Sequence, residues 1–65
     1  MNRAEIKYEL GRRGWTCVMV ADKANESKQM VYATIQKISR SGPITEKIQS
    51  IIEEIIGLDK EHVFN

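Results

Sequence analysis

The segment that follows the only proline carries an apolar stripe with a helical period. Its members lie at offsets of zero, three, four, seven and eight: Ile48, Ile51, Ile52, Ile55 and Ile56. Isoleucine has some strand propensity, but a half-buried strand would alternate apolar and polar residues, and this stripe does not. The spacing therefore predicts a long amphipathic helix that begins at Thr45 and is stopped by Gly57.

Three shorter helices are predicted before this segment, each with a polar N-cap and an apolar edge. The N-cap candidates are Asn2, Thr16 and Ser27, and the expected ends are Gly14, Asn25 and Ile38. Apolar residues recur at spacings of three and four within each segment, which is the helical pattern. The third helix, from about Ser27 to Ile38, has its apolar edge at Val31, Ile35 and Ile38.

The remaining segments are a loop and a short tail. Residues 39–43 are predicted to be a loop, because glycine and proline disfavour helix continuation. After Gly57, Asp59 is expected to cap a last helical turn, and Val63 with Phe64 to fold back on the core. We therefore expect residues 1–65 to form one domain, an all-α, compact bundle of about five short helices.

Charge and cysteine content restrict the class of protein. Residues 1–42 hold eight basic and four acidic side chains, a net charge of +4, whereas residues 43–65 hold two and five, a net charge of −3. A basic half suits a surface that approaches a polyanion. Cys17 is the only cysteine, and the chain has neither a signal-peptide core nor a span of about 20 apolar residues. We expect a cytoplasmic protein with no membrane partner.

Few residues offer the chemistry of an enzyme or a metal site. His62 has no second histidine or cysteine at metal-ligand spacing, so no metal and no cofactor are expected. Cys17 is read as a small packing residue in preference to a redox sensor. Trp15, Met19 and Met30 are also expected to pack in the core. The chain is not expected to be an enzyme.

The second and third segments have the spacing of a helix-turn-helix unit. In that motif a small residue allows the two helices to approach, a turn residue follows four positions later, and an aliphatic residue six further on locks the pair. Ala21, Asn25 and Val31 occupy these positions. The second helix of such a unit enters the DNA major groove. Asn25 stands where glycine is usual, and Glu26 is expected to be exposed or to meet the N-terminus of the third helix.

This interpretation assigns two sets of candidate DNA contacts. The residues expected to face the bases are Ser27, Lys28, Gln29, Tyr32, Ala33 and Gln36. Those expected to hold phosphates are Arg12, Arg13, Thr16, Lys23, Lys37, Arg40 and Ser41. Glutamine can pair with adenine, lysine with guanine or phosphate, and apolar groups with the thymine methyl.

The chain also resembles the small Ner-type regulators of Mu-like phages and their bacterial relatives, within the lambda-repressor-like helix-turn-helix group. The residues that carry the likeness are Gly14-Trp15-Thr16, Ala21, Ser27, Val31 and Ile35, and the segment from Ile51 to Phe64. The resemblance covers nearly the whole chain. It implies a repressor or autorepressor of a phage or mobile-element operon.

The sequence therefore indicates two candidate functions. The first is a sequence-specific transcriptional regulator that binds a double-stranded DNA operator, as a homodimer on inverted half-sites. The second is a small protein-binding modulator that binds a partner protein through the isoleucine-rich helix and the acidic C-terminal end. Binding to a partner protein without any binding to DNA would favour the second function.

Overall fold

Five helices make up the part of the chain that the computed structural model describes, which is residues 1–36, 42–58 and 60–64. They are α1 (Arg3–Arg12), α2 (Cys17–Ala24), α3 (Lys28–Ile35), α4 (Pro43–Ile56) and α5 (Lys60–Val63). These ranges contain no strand, so the predicted all-α bundle is confirmed. None of the helices in these ranges has the length and apolarity needed to cross a membrane.

The three predicted N-caps are confirmed. Asn2 forms a capping box with Glu5, in which each side chain accepts a hydrogen bond from the other residue's backbone N–H, at 2.8 and 3.0 Å. The hydroxyls of Thr16 and Ser27 each accept a hydrogen bond from the N–H three residues later, at 3.2 Å in both helices. Such a cap typically stabilises a protein by about 1 kcal/mol.

Two left-handed residues end the second and fourth helices where the sequence predicts. Asn25 follows α2 with a φ of 56°, and Gly57 follows α4 with a φ of 84°. Asparagine tolerates this conformation better than other residues that carry a Cβ. The third helix is described as far as Ile35, with Gln36 as its C-cap, and the predicted end at Ile38 lies outside the described residues.

The start of the fourth helix was predicted wrongly. The helix begins at Pro43, with Gly42 as its N-cap, and Thr45 is a buried residue of its first turn. Proline suits this position because the first N–H of a helix has no intrahelical partner and the fixed φ of proline is already helical. The predicted loop therefore ends at Gly42 and does not include Pro43. Residues 39–41 of this loop lie outside the described ranges.

The core is formed by one face of α4 and the apolar edges of the other helices. Its buried side chains are Ile6, Leu10, Val20, Ala21, Ala24, Val31, Ile35, Ile48, Ile52, Ile56 and Val63. Trp15, Met30 and Phe64 are partly buried against this cluster, as predicted. Met19 is instead 42% exposed, so its predicted packing role is wrong. It lies on the solvent side of α2, one position before the buried Val20.

The N-terminus of the chain lies against α5. The α-amino group of Met1 donates hydrogen bonds to the carbonyl oxygens of His62 and Val63, at 2.8 and 3.2 Å. Val63 has no exposed surface, which confirms that the tail folds back on the core. The predicted cap at Asp59 lies outside the described residues.

The left-handed conformation of Asn25 gives a direct test of the turn. We expect Asn25→Ala to lower the free energy of unfolding by about 1 kcal/mol, because alanine lacks the short polar side chain whose local hydrogen bonding lets asparagine tolerate positive φ. Asn25→Gly, the matched control, should unfold at the same urea concentration as the parent or a higher one. Urea titrations followed by helical circular dichroism measure both. Equal midpoints for the two variants would contradict the assigned backbone conformation.

Candidate nucleic-acid interface

Helices α2 and α3 are joined by a tight connection of residues 25–27. The N–H of Glu26 donates to the carbonyl oxygen of Ala21 at 3.0 Å, which closes the end of α2. Ala21 is 5% exposed and Val31 is wholly buried, so the two motif positions predicted to lock the helices lie in the core. The small Ala21 side chain leaves room for close packing of α3.

Helix α3 has one buried face and one exposed face. Val31, Thr34 and Ile35 are buried. Of the predicted base-facing residues, Ser27, Lys28, Gln29, Tyr32 and Gln36 are exposed, and Ala33 is half-buried. At about 100° per residue, the five from Lys28 to Gln36 span an arc of roughly 140°, directed away from the buried face. The six residues thus lie along one accessible side of the helix.

Thr34 is a polar residue within the buried face of α3. Its hydroxyl donates a hydrogen bond to the carbonyl oxygen of Met30, one turn earlier, at 2.8 Å. This bond satisfies the hydroxyl without a partner from another helix. The position is therefore compatible with the core although the side chain is small and polar.

Glu26 is tied to the fourth helix. Its carboxylate accepts a hydrogen bond from the Nζ of Lys47 at 2.8 Å, and the Glu26 side chain is only 21% exposed. Glu26 is therefore not exposed at the turn, which was one of the two environments that the sequence suggested. The pair is separated by 21 residues, so no local pattern could have indicated it. The ammonium group of Lys47 thus compensates the negative charge of Glu26, which lies just before α3 in the chain.

The predicted phosphate-binding residues divide into three groups. Thr16 and Lys23 are exposed at the two ends of α2. Arg12 is exposed but lies 3.5 Å from the Glu9 carboxylate. Arg13 binds Glu9 more closely, and it also donates to the carbonyl oxygen of Ile56 at 3.0 Å. The predictions at Lys37, Arg40 and Ser41 lie outside the described residues.

Arg13 therefore joins the end of α1 to the end of α4. The last carbonyl groups of a helix lack intrahelical partners, and a cation there is favoured by the helix dipole. The guanidinium bonds both to the Ile56 carbonyl and to a carboxylate on its own helix. These contacts give Arg13 a structural role that its position beside Arg12 in the sequence did not indicate.

One exposed lysine beside α3 is absent from the predicted set. The Nζ of Lys7, on α1, lies 5.8 Å from the centre of the Tyr32 ring, within the range of a cation–π contact. The two residues are on different helices and 25 positions apart. Only the packing of α1 beside α3 brings them together, so the sequence carried no signal for it.

The residues with metal-binding or redox chemistry are scattered in the described ranges. No three histidine, cysteine, aspartate or glutamate side chains in those ranges lie close enough to hold a metal ion. Cys17 is half-buried and packs against the core, as expected. His62 is exposed on α5, also as expected.

No protein-family model matches the chain, and comparison with the curated proteins and with the solved structures gave no match. The resemblance to Ner-type regulators therefore remains a prediction from the sequence.

The ion pair between Glu9 and Arg13 predicts a pH dependence. Hydrogen bonding from the Arg13 guanidinium lowers the pKa of the Glu9 carboxyl, and the charges of Arg12 and Arg13 lower it further. A carboxyl group with a lowered pKa in the folded state binds fewer protons there than in the unfolded state. Its contribution to stability is present above the ordinary glutamate pKa and is lost as the pH falls through the lowered pKa.

We expect Glu9→Gln to reduce the free energy of unfolding at about pH 7 and to have a smaller effect at about pH 3. In the Arg13→Gln background the same change should depend less on pH, because only Arg12 then lowers the pKa of Glu9, and this comparison supplies the control. Urea unfolding at both pH values is measured for the parent, the two single variants and the double variant. A Glu9→Gln effect that is equal at both pH values would show that the ion pair does not stabilise the fold.

Proposed function

We propose that this protein is a sequence-specific DNA-binding transcriptional regulator that reads the major groove with α3. The observation that carries the proposal is the two-sided character of α3. Val31, Thr34 and Ile35 hold the helix to the core, while Lys28, Gln29 and neighbouring polar residues are exposed along the opposite side. A recognition helix needs both features, because it must be held rigidly while its side chains reach base edges.

The exposed side of α3 has chemistry suited to base recognition. Gln29 can form two hydrogen bonds with an adenine edge, and Lys28 can donate to guanine O6 and N7 or to a phosphate. The Tyr32 ring and the Ala33 methyl can contact thymine methyl groups. This mixture favours a site with both A·T and G·C base pairs over a uniform sequence.

Helix α2 supplies groups that suit the DNA backbone. Thr16 caps its N-terminus, where free backbone N–H groups and the helix dipole favour an anion. Lys23 lies in the last turn of α2 and is exposed. Such contacts orient a protein on the duplex without reading its sequence. The net charge of +4 over residues 1–42 supports the same assignment.

The resemblance to Ner-type regulators supports a repressor or autorepressor of a phage or mobile-element operon. A homodimer on inverted half-sites fits the small size of a single recognition helix. Helix α4 offers apolar surface for a second copy, because Ile51 and Ile55 are only partly buried and Ile44 is 42% exposed.

The same surface favours the second candidate function, a protein-binding modulator. Leu58, just after the end of α4, is 45% exposed, and Glu46 and Glu54 on α4 and Glu61 on α5 are also exposed. An apolar strip with an acidic border suits a basic partner protein. The two functions differ in whether DNA is bound at all.

Selection of bound sequences from random double-stranded DNA at two salt concentrations tests the proposal. Base recognition should yield a defined motif at both concentrations, whereas attraction to phosphate alone weakens steeply as salt is raised. A flat selection at both salt concentrations would overturn the proposed function. Recovery of a palindromic motif would also support the dimer.

The Gln29→Ala variant should distinguish recognition of a particular base sequence from affinity for DNA of any sequence. We expect the variant to lose about 1–3 kcal/mol of preference for the selected sequence over random DNA, because two hydrogen bonds to one base are removed. Lys23→Gln is the control, since loss of a phosphate contact should weaken both complexes equally and lower the salt slope by about 0.9. Fluorescence anisotropy titrations with both DNAs measure these changes. Unchanged preference in the Gln29 variant would remove this residue from the interface.

A further inference from the structure

The contact between Lys7 and Tyr32 joins α1 to the exposed face of α3. The Lys7 Nζ lies 5.8 Å from the ring centre, and Tyr32 is 37% exposed. The ammonium group of Lys7 lies over one face of the Tyr32 ring, and the N–H donors that do not point at the ring can bind an anion. Lys7 is itself exposed, so the charge is accessible to an anion beside α3.

Helix α1 has different charge on its two flanks. Ile6 and Leu10 are buried and define the inner face of the helix. On one side of that face, Glu9 pairs with Arg13, which also binds the end of α4. On the other side, Arg3 and Lys7 lie one turn apart in a row that continues to Gly11. Because Lys7 reaches Tyr32, this second flank is the one that borders α3.

We propose that the flank of α1 formed by Arg3, Lys7 and Gly11 is a second strip of the DNA interface, in which Lys7 binds a backbone phosphate beside the bases that α3 reads. The inference rests on the proposed function and extends it to a helix outside the helix-turn-helix unit. The major groove is about 12 Å wide, so a helix lying in it has a phosphate backbone on either side. A lysine at the border of the exposed face of α3 can reach one of these backbones.

Gly11 makes the inference testable by a gain of affinity. A Cβ built on Gly11 meets no atom within 4 Å, so the structure accommodates a side chain there. The glycine lies one turn after Lys7, at the end of the Arg3–Lys7 row. A lysine at this position would lengthen the row of positive charge on the flank that borders α3.

The test compares four variants with the parent by anisotropy titration over a range of salt concentrations, on selected and on random DNA. Lys7→Gln should lower the salt slope by about 0.9 and weaken both complexes roughly five- to ten-fold at about 0.1 M salt. Sequence preference should be unchanged, because a phosphate contact reads no base. Lys7→Arg keeps the charge and should retain the parental slope.

Gly11→Lys should raise the salt slope and tighten binding to both DNAs relative to Gly11→Gln. The glutamine variant is the matched control, because lysine and glutamine have similar helix propensities and both replace a glycine. The comparison therefore isolates the added charge from any gain in helix stability. Thermal melting of all four variants verifies that each is folded at the assay temperature.

The outcomes separate this inference from the proposed function. If the parent selects a motif but Lys7→Gln binds with the parental slope and affinity, then α1 lies outside the interface and the inference is wrong. Equal affinity and equal salt slope for Gly11→Lys and Gly11→Gln would also show that α1 lies outside the interface. If the parent binds no DNA, the proposed function and the inference both fail.

Discussion

Ile48 and Ile52 of α4 have no surface exposed to solvent, and α1, α2, α3 and α5 all pack against the helix that carries them. Burial of one such side chain contributes roughly 1.5–3 kcal/mol. Helices of eight residues, such as α2 and α3, are too short to be stable alone in water. The orientation of the exposed face of α3 therefore depends on the isoleucine face of α4, although α4 supplies none of the proposed base contacts.

Ion pairs within the fold determine which positive charges remain available to a polyanion. Arg13 is bonded to Glu9 and to the Ile56 carbonyl, and Lys47 is bonded to Glu26. Lys23 and Lys28 are exposed on α2 and α3, and Lys7 is exposed on α1. The formal charge of residues 1–42 already counts Glu9 against Arg13, so by itself it does not show where the positive charge lies on the surface. For the proposed DNA interface, the positions of these exposed lysines matter more than the net charge.

Local signals in the sequence predicted most of the fold. The N-caps at Asn2, Thr16 and Ser27 and the left-handed residue at Asn25 depend only on neighbouring backbone groups, so they can be recognised from the sequence. The first residue of α4 was missed because Pro43 was interpreted as a helix breaker, whereas proline is favoured in the first turn.

Contacts between distant parts of the chain could not be predicted in this way. The Arg13–Ile56 and Glu26–Lys47 bonds link residues 43 and 21 positions apart, and the Lys7–Tyr32 contact also links two helices. Arg12 and Arg13 are neighbours in the sequence and both pair with Glu9, and they differ only because Arg13 also bonds to the Ile56 carbonyl when the helices pack. The candidate base-facing residues were predictable because a helical period defines one face. The electrostatic surroundings of that face required the tertiary structure.

The connection of residues 25–27 between α2 and α3 also bears on how quickly the chain reaches this structure. Helices joined by so short a segment meet without the entropy cost of closing a long loop. Small helical bundles fold on the order of microseconds to milliseconds. Rapid folding shortens the time for which the apolar face of α4 is exposed in a newly made chain, and so limits aggregation through its isoleucines.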